Sequence, residues 1–291
     1  MRPKNSPAML NEEGATSEAQ LLELLALRAA GLPPRKLLRL FLSDEAKPAE
    51  LPLDLPKDID YYREMIERAL PLAEEELARC RQGNITLLPY FASDYPKALH
   101  ALGGARPVLL YAKGDLGLLQ SPASILGIVG TRQPSPEGLA AAHRIAYEEA
   151  EKGRVILSGL AYGCDAAAHH GALEATGRTI AVIATGLDRA HPEAHHALQD
   201  RIIASGGLVL SEYPLATPAD TYRLVARDRL QAALCAELLV IECGAQSGTM
   251  HTVRFAERYR RPIFALPPHT DCLPSLEGNR QLLLSGRAKP W

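Results

Sequence analysis

From Ser124 to Leu266, short apolar runs alternate with segments that have the hydrophobic periodicity of helices. This alternation limits the possible folds more than any other feature, because apolar strands joined by helices form a parallel sheet covered on both faces. The predicted strands are residues 124–130, 154–158, 179–184, 207–211, 237–242 and 262–266. Open sheets of this kind bind ligands beyond the carboxyl ends of their strands, so the turns that follow the strands are where a functional site is expected.

The N-terminal part of the chain has a different pattern. Leucines at helical spacing between residues 17 and 42 are interrupted by Gly31 and two prolines, which predicts two helices joined by a tight turn. A third amphipathic helix is predicted from about Ile59 to Arg81. Such a helix pair occurs in DNA-binding proteins, but simple packing produces the same pattern more often. We predict a disordered lead over 1–16, a small helical domain over 17–82 and an α/β domain over 84–291.

Composition restricts the classes of partner and the cellular compartment. The formal net charge is −2, so the chain as a whole is not drawn to nucleic acid or to an acidic membrane, and anion binding must rest on local clusters of basic residues. The five cysteines are scattered without a C-x-x-C pair, which is typical of reduced thiols. The sequence has neither the apolar core of a signal peptide nor a run long enough to span a membrane. We therefore expect a cytoplasmic protein.

The turns after the predicted strands are similar in composition. They read GTRQPS (130–135), SGLAYGCD (158–165), TGLD (185–188), SEYP (211–214) and ECGAQSGTMHT (242–252). Most combine glycine with a hydroxyl side chain ahead of a helix, where unpaired N–H groups favour anions. Any α/β protein needs such residues for structural reasons alone. Arg132 favours phosphate binding, because an arginine between a strand and a helix has little packing value and matches phosphate with two hydrogen bonds.

Common catalytic and cofactor motifs are absent from the sequence. It lacks the P-loop, the G-x-G-x-x-G dinucleotide fingerprint, the G-x-S-x-G nucleophile turn and zinc-ligand spacing. The histidines in HPEAHH (191–196) and AHHG (168–171) are interpreted as surface or helix-cap residues. Asp165 and Glu212 could form an acid–base pair if their strand ends meet; the favoured alternative is that Asp165 caps a helix and Glu212 orients an arginine. We therefore predict no catalytic residue, no cofactor and no metal.

A second basic cluster lies in YRLVARDRLQAAL (222–234). Arg227 and Arg229 are two residues apart, so in a helix they diverge by about 200° and could not share a ligand, whereas at a helix start they could flank one. Tyr222 beside Arg223 combines an aromatic face with a cation, which suits a stacked base and its phosphate. A solvated run of charges is the alternative interpretation.

Taken in order, GTRQPS, SGLAYGCDAAAHHGAL, TIAVIATGLDRAHP, GGLVLSEYP, ARDRL and SGTMHTVRFA resemble the DprA family, also called Smf, from about Asn84 to Gly286. The resemblance implies an extended Rossmann-like core that binds single-stranded DNA, forms a homodimer and loads the RecA recombinase during natural transformation, without catalysis. It places a DNA phosphate against the turn that contains Arg132. The implied DNA-binding residues are Gly130, Thr131, Arg132, Ser135, Ser158, Gly159, Tyr222, Arg223, Arg227, Arg229, Ser247, Gly248 and Thr249.

The chain departs from the family pattern at several positions. The family commonly has Arg-Asn-Arg where this chain has Arg227-Asp228-Arg229, and the Asp228 carboxylate repels phosphate unless the arginines neutralise it. Leu224 stands where an aromatic residue often does, which weakens base stacking unless Tyr222 substitutes. Many relatives carry a C-terminal winged helix, and we do not expect one before Trp291.

Two other functions compete with this interpretation. One is a phosphoribohydrolase acting on nucleotide monophosphates, with its phosphate turn at residues 247–252 and Glu212 or Glu242 as the acid. Its expected loop is richer in glycine than the segment that contains Ala245 and Gln246. The other is a scaffold that binds only protein.

An apolar dimer patch is predicted within 232–241 or 253–264, although buried packing produces the same composition.

Overall fold

The computed structural model describes residues 18–41, 59–270 and 273–291. The chain divides into two compact units, residues 1–111 and 112–291. The predicted lead over 1–16 lies outside the described residues, as do residues 17 and 42–58 of the predicted helical domain. The predicted domain boundaries therefore stay predictions.

The first unit begins with the helices expected from the leucine pattern. Its elements are α1 (Glu18–Ala29), α2 (Pro34–Phe41), α3 (Ile59–Gln82), β1 (Thr86–Pro89) and a 3₁₀ segment at Lys97–Ala105. The turn between α1 and α2 is made at Gly31, whose φ of +86° favours glycine. Leucines from both helices are buried, including Leu24 and Leu37. Strand β2 (Leu109–Gly114) continues from this unit into the second.

The second unit contains the predicted parallel sheet. Its strands are β3 (Ile125–Val129), β4 (Val155–Ser158), β5 (Thr179–Val182), β6 (Leu208–Ser211), β7 (Glu237–Val240), β8 (Ile263–Ala265) and β9 (Lys289–Pro290). They pair in the order β6-β5-β4-β3-β7-β8-β9, and every pair is parallel. The structure confirms all six predicted strands. The two-residue β9 was not predicted, because its exposed Lys-Pro sequence has no strand pattern.

Helices cover both faces of this sheet. They are α4 (Pro136–Glu151), α5 (Cys164–Ala175), α6 (His196–Ala204), α7 (Thr221–Leu234), α8 (Thr249–Arg258) and α9 (Glu277–Leu284). Short 3₁₀ turns lie at Leu116–Leu119, Pro122–Ser124, Glu193–His195 and Pro274–Leu276. Alanines of α4 and α5 pack on Leu126 and Ile128 of β3. The two helices approach so closely that a Cβ on Gly171 would lie 2.1 Å from the carbonyl oxygen of His143.

Strand β3 lies at the point where the order of strands reverses. Gly127 of β3 is paired with Leu157 of β4 on one side and with Leu238 of β7 on the other. The chain runs outward from β3 through β4, β5 and β6, and then returns to add β7 on the opposite side. Connections leave this point in opposite directions, which opens a crevice beyond the carboxyl ends of β3 and β7.

Two expectations from the sequence are wrong. His169 was interpreted as a surface or cap residue, but it is fully buried on α5, where its Nδ1–H donates to Thr179 Oγ1 (2.8 Å). Burial lowers the pKa of His169 to about 3, so the ring is neutral. Of the two segments predicted to hold a dimer patch, 232–241 belongs to the core, because the end of α7 and strand β7 are covered by the rest of the unit. A patch within 253–264 stays a prediction.

Within the described parts of the chain, no helix is long and apolar enough to cross a membrane. The same residues contain no group of three or more histidine, cysteine or acidic side chains placed to hold a metal ion.

Candidate nucleic-acid interface

Turns from three neighbouring strands, together with residues 221–231 of α7, line a cavity of about 490 Å³ at the point where the strand order reverses. We call it the rim cavity. Its walls come from the turns after β3, β4 and β7. The sequence-predicted residues that line it are Gly130, Thr131, Arg132, Arg227, Ser247, Gly248 and Thr249. The structure therefore brings together residues that are separated by more than 100 positions in the sequence.

The turn after β3 is held firmly by its backbone. The N–H of Thr131 donates to the Glu242 carbonyl (2.7 Å), and the Thr131 carbonyl accepts from the N–H of Cys164 (3.2 Å). The Thr131 hydroxyl accepts from the N–H of Gln133 (3.2 Å). These bonds join the turn to the segments that follow β7 and β4. Arg132 is thus presented from a fixed backbone.

The side chain of Arg132 is exposed and uncommitted. It forms no ion pair with any residue in 18–41, 59–270 or 273–291. Arg132 lines the rim cavity and two further depressions: an outer recess of about 690 Å³, shared with Pro134, Leu139 and Tyr162, and a small recess of about 140 Å³. An exposed guanidinium that borders three depressions suits recognition of a phosphate.

Ser135 connects the turn after β3 to helix α4 and to Glu242. Its hydroxyl accepts from the N–H of Gly138 and so caps α4 (3.0 Å), and it donates to the buried carboxylate of Glu242 (2.8 Å). The Ser275 hydroxyl also donates to Glu242. Glu242 is fully buried. From the sequence, Glu242 was an alternative catalytic acid only. Its contact with Ser135 was not predicted, because the two residues are 107 positions apart.

Ser158 and Gly159 also have structural partners. The Ser158 hydroxyl is buried and donates to the carbonyl of Ile128 (2.7 Å), which joins β4 to β3. The N–H of Gly159 donates to Asp165 (3.1 Å), and its carbonyl accepts from Arg227 (2.7 Å). Gly159 lines the small recess, whereas Ser158 lies beneath the surface.

Arg227 contributes one face to the rim cavity but is 5% exposed. Its guanidinium donates to the carbonyls of Gly159 and Val182, at the ends of β4 and β5, and its Nε lies 3.2 Å from the Asp228 carboxylate. The two carbonyl contacts join α7 to the sheet. Arg227 is also close to Asp165: burial raises the pKa of Asp165, and the positive charge of Arg227 opposes that rise.

Arg229 points to a different partner. It forms an ion pair with Glu212 (3.2 Å) and donates to the Ala226 carbonyl (2.6 Å), and both side chains of the pair are largely buried. Arg229 does not line the rim cavity. The structure confirms that Glu212 orients an arginine. The expectation that Asp165 caps α5 is wrong, because its carboxylate accepts from the N–H groups of Gly159 and Ala161, which precede the helix. Arg227 is the nearby cation of Asp165, so the two carboxylates have separate partners.

The start of α7 presents Tyr222 and Arg223 outside the rim cavity. Asp220 caps the helix by accepting from the N–H of Arg223 (2.7 Å), and it also pairs with the Arg223 guanidinium. That guanidinium lies 5.6 Å from the centroid of the Tyr213 ring. Tyr222 is 80% exposed. The cavity wall here is made by Thr221, Leu224 and Val225 instead.

Asp228 places a carboxylate in the wall of the rim cavity. Burial raises the pKa of Asp228 to about 6, although the neighbouring Arg227 lowers it in opposition. Since Arg229 is committed to Glu212, Arg227 is the arginine of this motif that offsets the charge of Asp228. The carboxylate is therefore ionised at pH 8 and becomes neutral as the pH falls through 6.

Sequence reasoning missed two residues beside Arg132. Tyr162, in the turn after β4, lines both the outer recess and the small recess, and His191 lines the small recess. The sequence does contain a signal for Tyr162, because it is an aromatic residue between two glycines in a turn that was predicted to belong to the site. The prediction was based on hydroxyl and basic side chains and therefore omitted it.

Comparison with known proteins shows several relatives of this chain. The model of the family described as DNA recombination-mediator protein A matches residues 86–291. DNA processing protein DprA of Streptococcus pneumoniae is 35% identical over 251 residues, which cover 84% of this chain and 86% of that protein. Protein Smf of Synechocystis is 38% identical over 200 residues, which cover 66% of this chain and 50% of that protein. The chain therefore matches about half the length of the Synechocystis relative.

Two solved structures are also similar. The crystal structure of DNA processing protein A from Streptococcus pneumoniae is 30% identical, with a TM-score of 0.77 over 95% of both chains. DNA processing protein A from Helicobacter pylori, whose structure is described for its single-stranded DNA binding mode, is 33% identical. It gives a TM-score of 0.63 and covers 71% of this chain and 90% of its own. These matches confirm the predicted α/β class with its extended Rossmann-like sheet.

Proposed function

Because this chain belongs to the DNA recombination-mediator protein A family, we propose that its rim cavity binds the phosphate backbone of single-stranded DNA. The observation that carries the proposal is Arg132. Its backbone is hydrogen-bonded into the turn after β3, while its guanidinium is exposed where three depressions meet. The described single-stranded DNA binding mode of the Helicobacter pylori relative supports the choice of ligand.

The proposed role is that of a binding protein and not of an enzyme. We propose that the protein acts in the cytoplasm as a homodimer, protects incoming single-stranded DNA and loads RecA onto it during natural transformation. The separate structural partners of Asp165 and Glu212 support binding without catalysis. The phosphoribohydrolase alternative is not favoured, since Glu212 is committed to Arg229 and Glu242 to two serines.

Fluorescence anisotropy tests the DNA-binding proposal directly. Labelled poly-dT and a duplex of equal length are titrated with the protein at two salt concentrations. We expect tighter binding of the single strand, with a log–log salt slope of about −0.7 for each phosphate contact. Equal binding of both DNAs, or no binding of poly-dT, would contradict the proposal.

The proposed loading of RecA is tested by measuring the RecA ATPase on single-stranded DNA that is already coated with a single-strand-binding protein. We expect ATPase activity to begin sooner when this protein is added.

The affinity for single-stranded DNA is expected to rise as the pH falls from 8 to 5.5. Above pH 6 Asp228 is ionised and repels phosphate, and below pH 6 it is neutral. One unit charge 4 Å away contributes about 1 kcal/mol in water, which corresponds to a gain of about fivefold. The measurement is anisotropy with poly-dT at constant ionic strength across this range.

Asp228→Asn is the control for this pH dependence, because it keeps the size of the side chain without its charge. We expect the variant to bind tightly at pH 8 and to lose most of the dependence. His191 and His251 also lie in the walls of these depressions. If the variant keeps the full pH dependence, Asp228 is not responsible for it.

A further inference from the structure

Tyr162 is a large aromatic side chain that the fold exposes beside the proposed phosphate site. It is 48% exposed, and it lines the same two recesses as Arg132. Its ring meets the ring of His195 edge to face, with centroids 4.8 Å apart and planes at 72°. This contact restrains the Tyr162 ring, while nearly half of the residue is open to solvent. Exposed aromatic rings beside a cation are the usual platform for a nucleobase.

The backbone holds Tyr162 in a constant position relative to Arg132. The next residue, Gly163, has a φ of +73°, and a Cβ on it would lie 2.5 Å from the Thr131 carbonyl oxygen. The N–H of Cys164 donates to that same oxygen (3.2 Å). On the other side, the Nδ1–H of His195 donates to the Leu160 carbonyl (2.8 Å). The turn that carries the ring is therefore packed directly against the turn that carries the guanidinium.

The small recess has the size and walls for one flat ring. Its volume is about 140 Å³, and a cavity of about 150 Å³ holds one benzene ring. The walls include Tyr162, His191, Pro192 and Leu224, with the Arg132 and Arg227 side chains at its border. Burial, followed by the charges of Arg132 and Arg227, lowers the pKa of His191, so this wall is uncharged at neutral pH. A largely apolar slot beside an arginine matches a nucleotide, with its base inside and its phosphate outside.

We propose that the small recess receives a nucleobase of the bound strand, which stacks on Tyr162 while an adjoining phosphate contacts Arg132. This inference rests on the proposed function and assigns its base-contacting residue. Tyr222, the aromatic residue selected from the sequence, does not line the recess, and Leu224 supplies only an aliphatic contact there. The recess has the volume for one ring, which is a whole pyrimidine or one of the two rings of a purine. Stacking needs no hydrogen-bond readout, so the recess adds affinity without strict sequence preference.

The test compares Tyr162→Ala and Tyr162→Phe on two probes of equal length and charge: poly-dT and an oligomer of abasic nucleotides. We expect Tyr162→Ala to weaken poly-dT binding by about 5- to 150-fold, as for other base–aromatic stacks, and to leave abasic binding unchanged. Tyr162→Phe keeps the ring and should retain the affinity for poly-dT. Equal losses on both probes, or no loss on either, would overturn the base-stacking inference.

A second measurement does not depend on a variant. An oligomer with 2-aminopurine should lose fluorescence when bound to the wild-type protein, because stacking quenches this base. Unchanged fluorescence would overturn the inference.

If circular dichroism shows that Tyr162→Ala does not fold, Tyr162→Leu replaces it in the comparison of poly-dT with the abasic oligomer, and the same outcomes apply. Failure of the wild-type protein to bind either probe would instead contradict the proposed function, so the two failures are distinguishable.

Discussion

Arg132→Ala is expected to weaken binding of single-stranded DNA by about 10- to 150-fold, and to do so equally for every sequence. A hydrogen bond to a charged group contributes roughly 1.5–3 kcal/mol, and the guanidinium of Arg132 is uncommitted within the described ranges of the chain. Because the contact is made to phosphate, it carries no sequence information. Anisotropy with poly-dT, poly-dA and a mixed sequence measures this loss.

The same variant should have a flatter salt dependence. Each phosphate contact to a single strand contributes about −0.7 to the slope of log affinity against log salt, so the loss of one contact removes about that amount. Arg132→Lys keeps the charge and should preserve the slope, but it binds more weakly because lysine cannot form the paired hydrogen bonds. An unchanged slope in Arg132→Ala would place the phosphate elsewhere.

Arg144→Ala is the matched control for Arg132. Arg144 is an exposed arginine on α4, where it pairs with Glu148 one turn away (3.1 Å), and it lines none of the three depressions. Its removal changes the net charge by the same amount. We expect little change in DNA affinity, and a loss equal to that of Arg132→Ala would indicate a general charge effect.

Arg227→Ala is expected to lower the free energy of unfolding by about 3–5 kcal/mol. Removing one partner of a buried charge pair leaves the other charge uncompensated, and Arg227 is the cation beside both Asp165 and Asp228. The substitution also removes donors from the Gly159 and Val182 carbonyls. Urea denaturation followed by circular dichroism measures the change, with Arg144→Ala as an exposed control that costs less than about 1 kcal/mol.

The deficit of Arg227→Ala should shrink at low pH. Without the arginine, the pKa values of both carboxylates rise further, since its charge is what lowers them. Protonation then stabilises the folded state below these pKa values, and stability is lost as the pH rises through them. We expect a smaller difference from wild type at pH 5 than at pH 8. A loss below 1 kcal/mol at pH 8 would contradict the structural role of Arg227.

The orientation of the side chains in Arg227-Asp228-Arg229 could not be predicted from the sequence. The sequence showed that side chains two apart on a helix diverge by about 200°, but not which of them faces the sheet. That orientation follows from the packing of α7, where Arg227, Leu230 and Leu234 are buried. Arg227 therefore reaches the ends of β4 and β5, while Arg229 reaches Glu212. The two arginines of the motif therefore have different internal partners, and only Arg227 lines the rim cavity.

The two tyrosines illustrate the same limit. Tyr222 was selected because Arg223 follows it in the chain, yet Arg223 is committed to Asp220 and Tyr222 points to solvent. Tyr162 is 30 residues from Arg132 and lies beside it because the turns after β3 and β4 are packed together. Adjacency along the chain was a poor guide to adjacency in space.

Local patterns were enough to identify the strands, their parallel arrangement and the edge of the sheet that carries the rim cavity. Apolar runs, turn residues and helix periodicity are short-range properties, and parallel strands bring their carboxyl ends to one edge whatever the remaining contacts. The partners of Arg227 and Arg229, the burial of His169 and the placement of Tyr162 depend on how helices rotate and turns pack. Those choices are made by contacts between residues far apart in the chain, which no local pattern records.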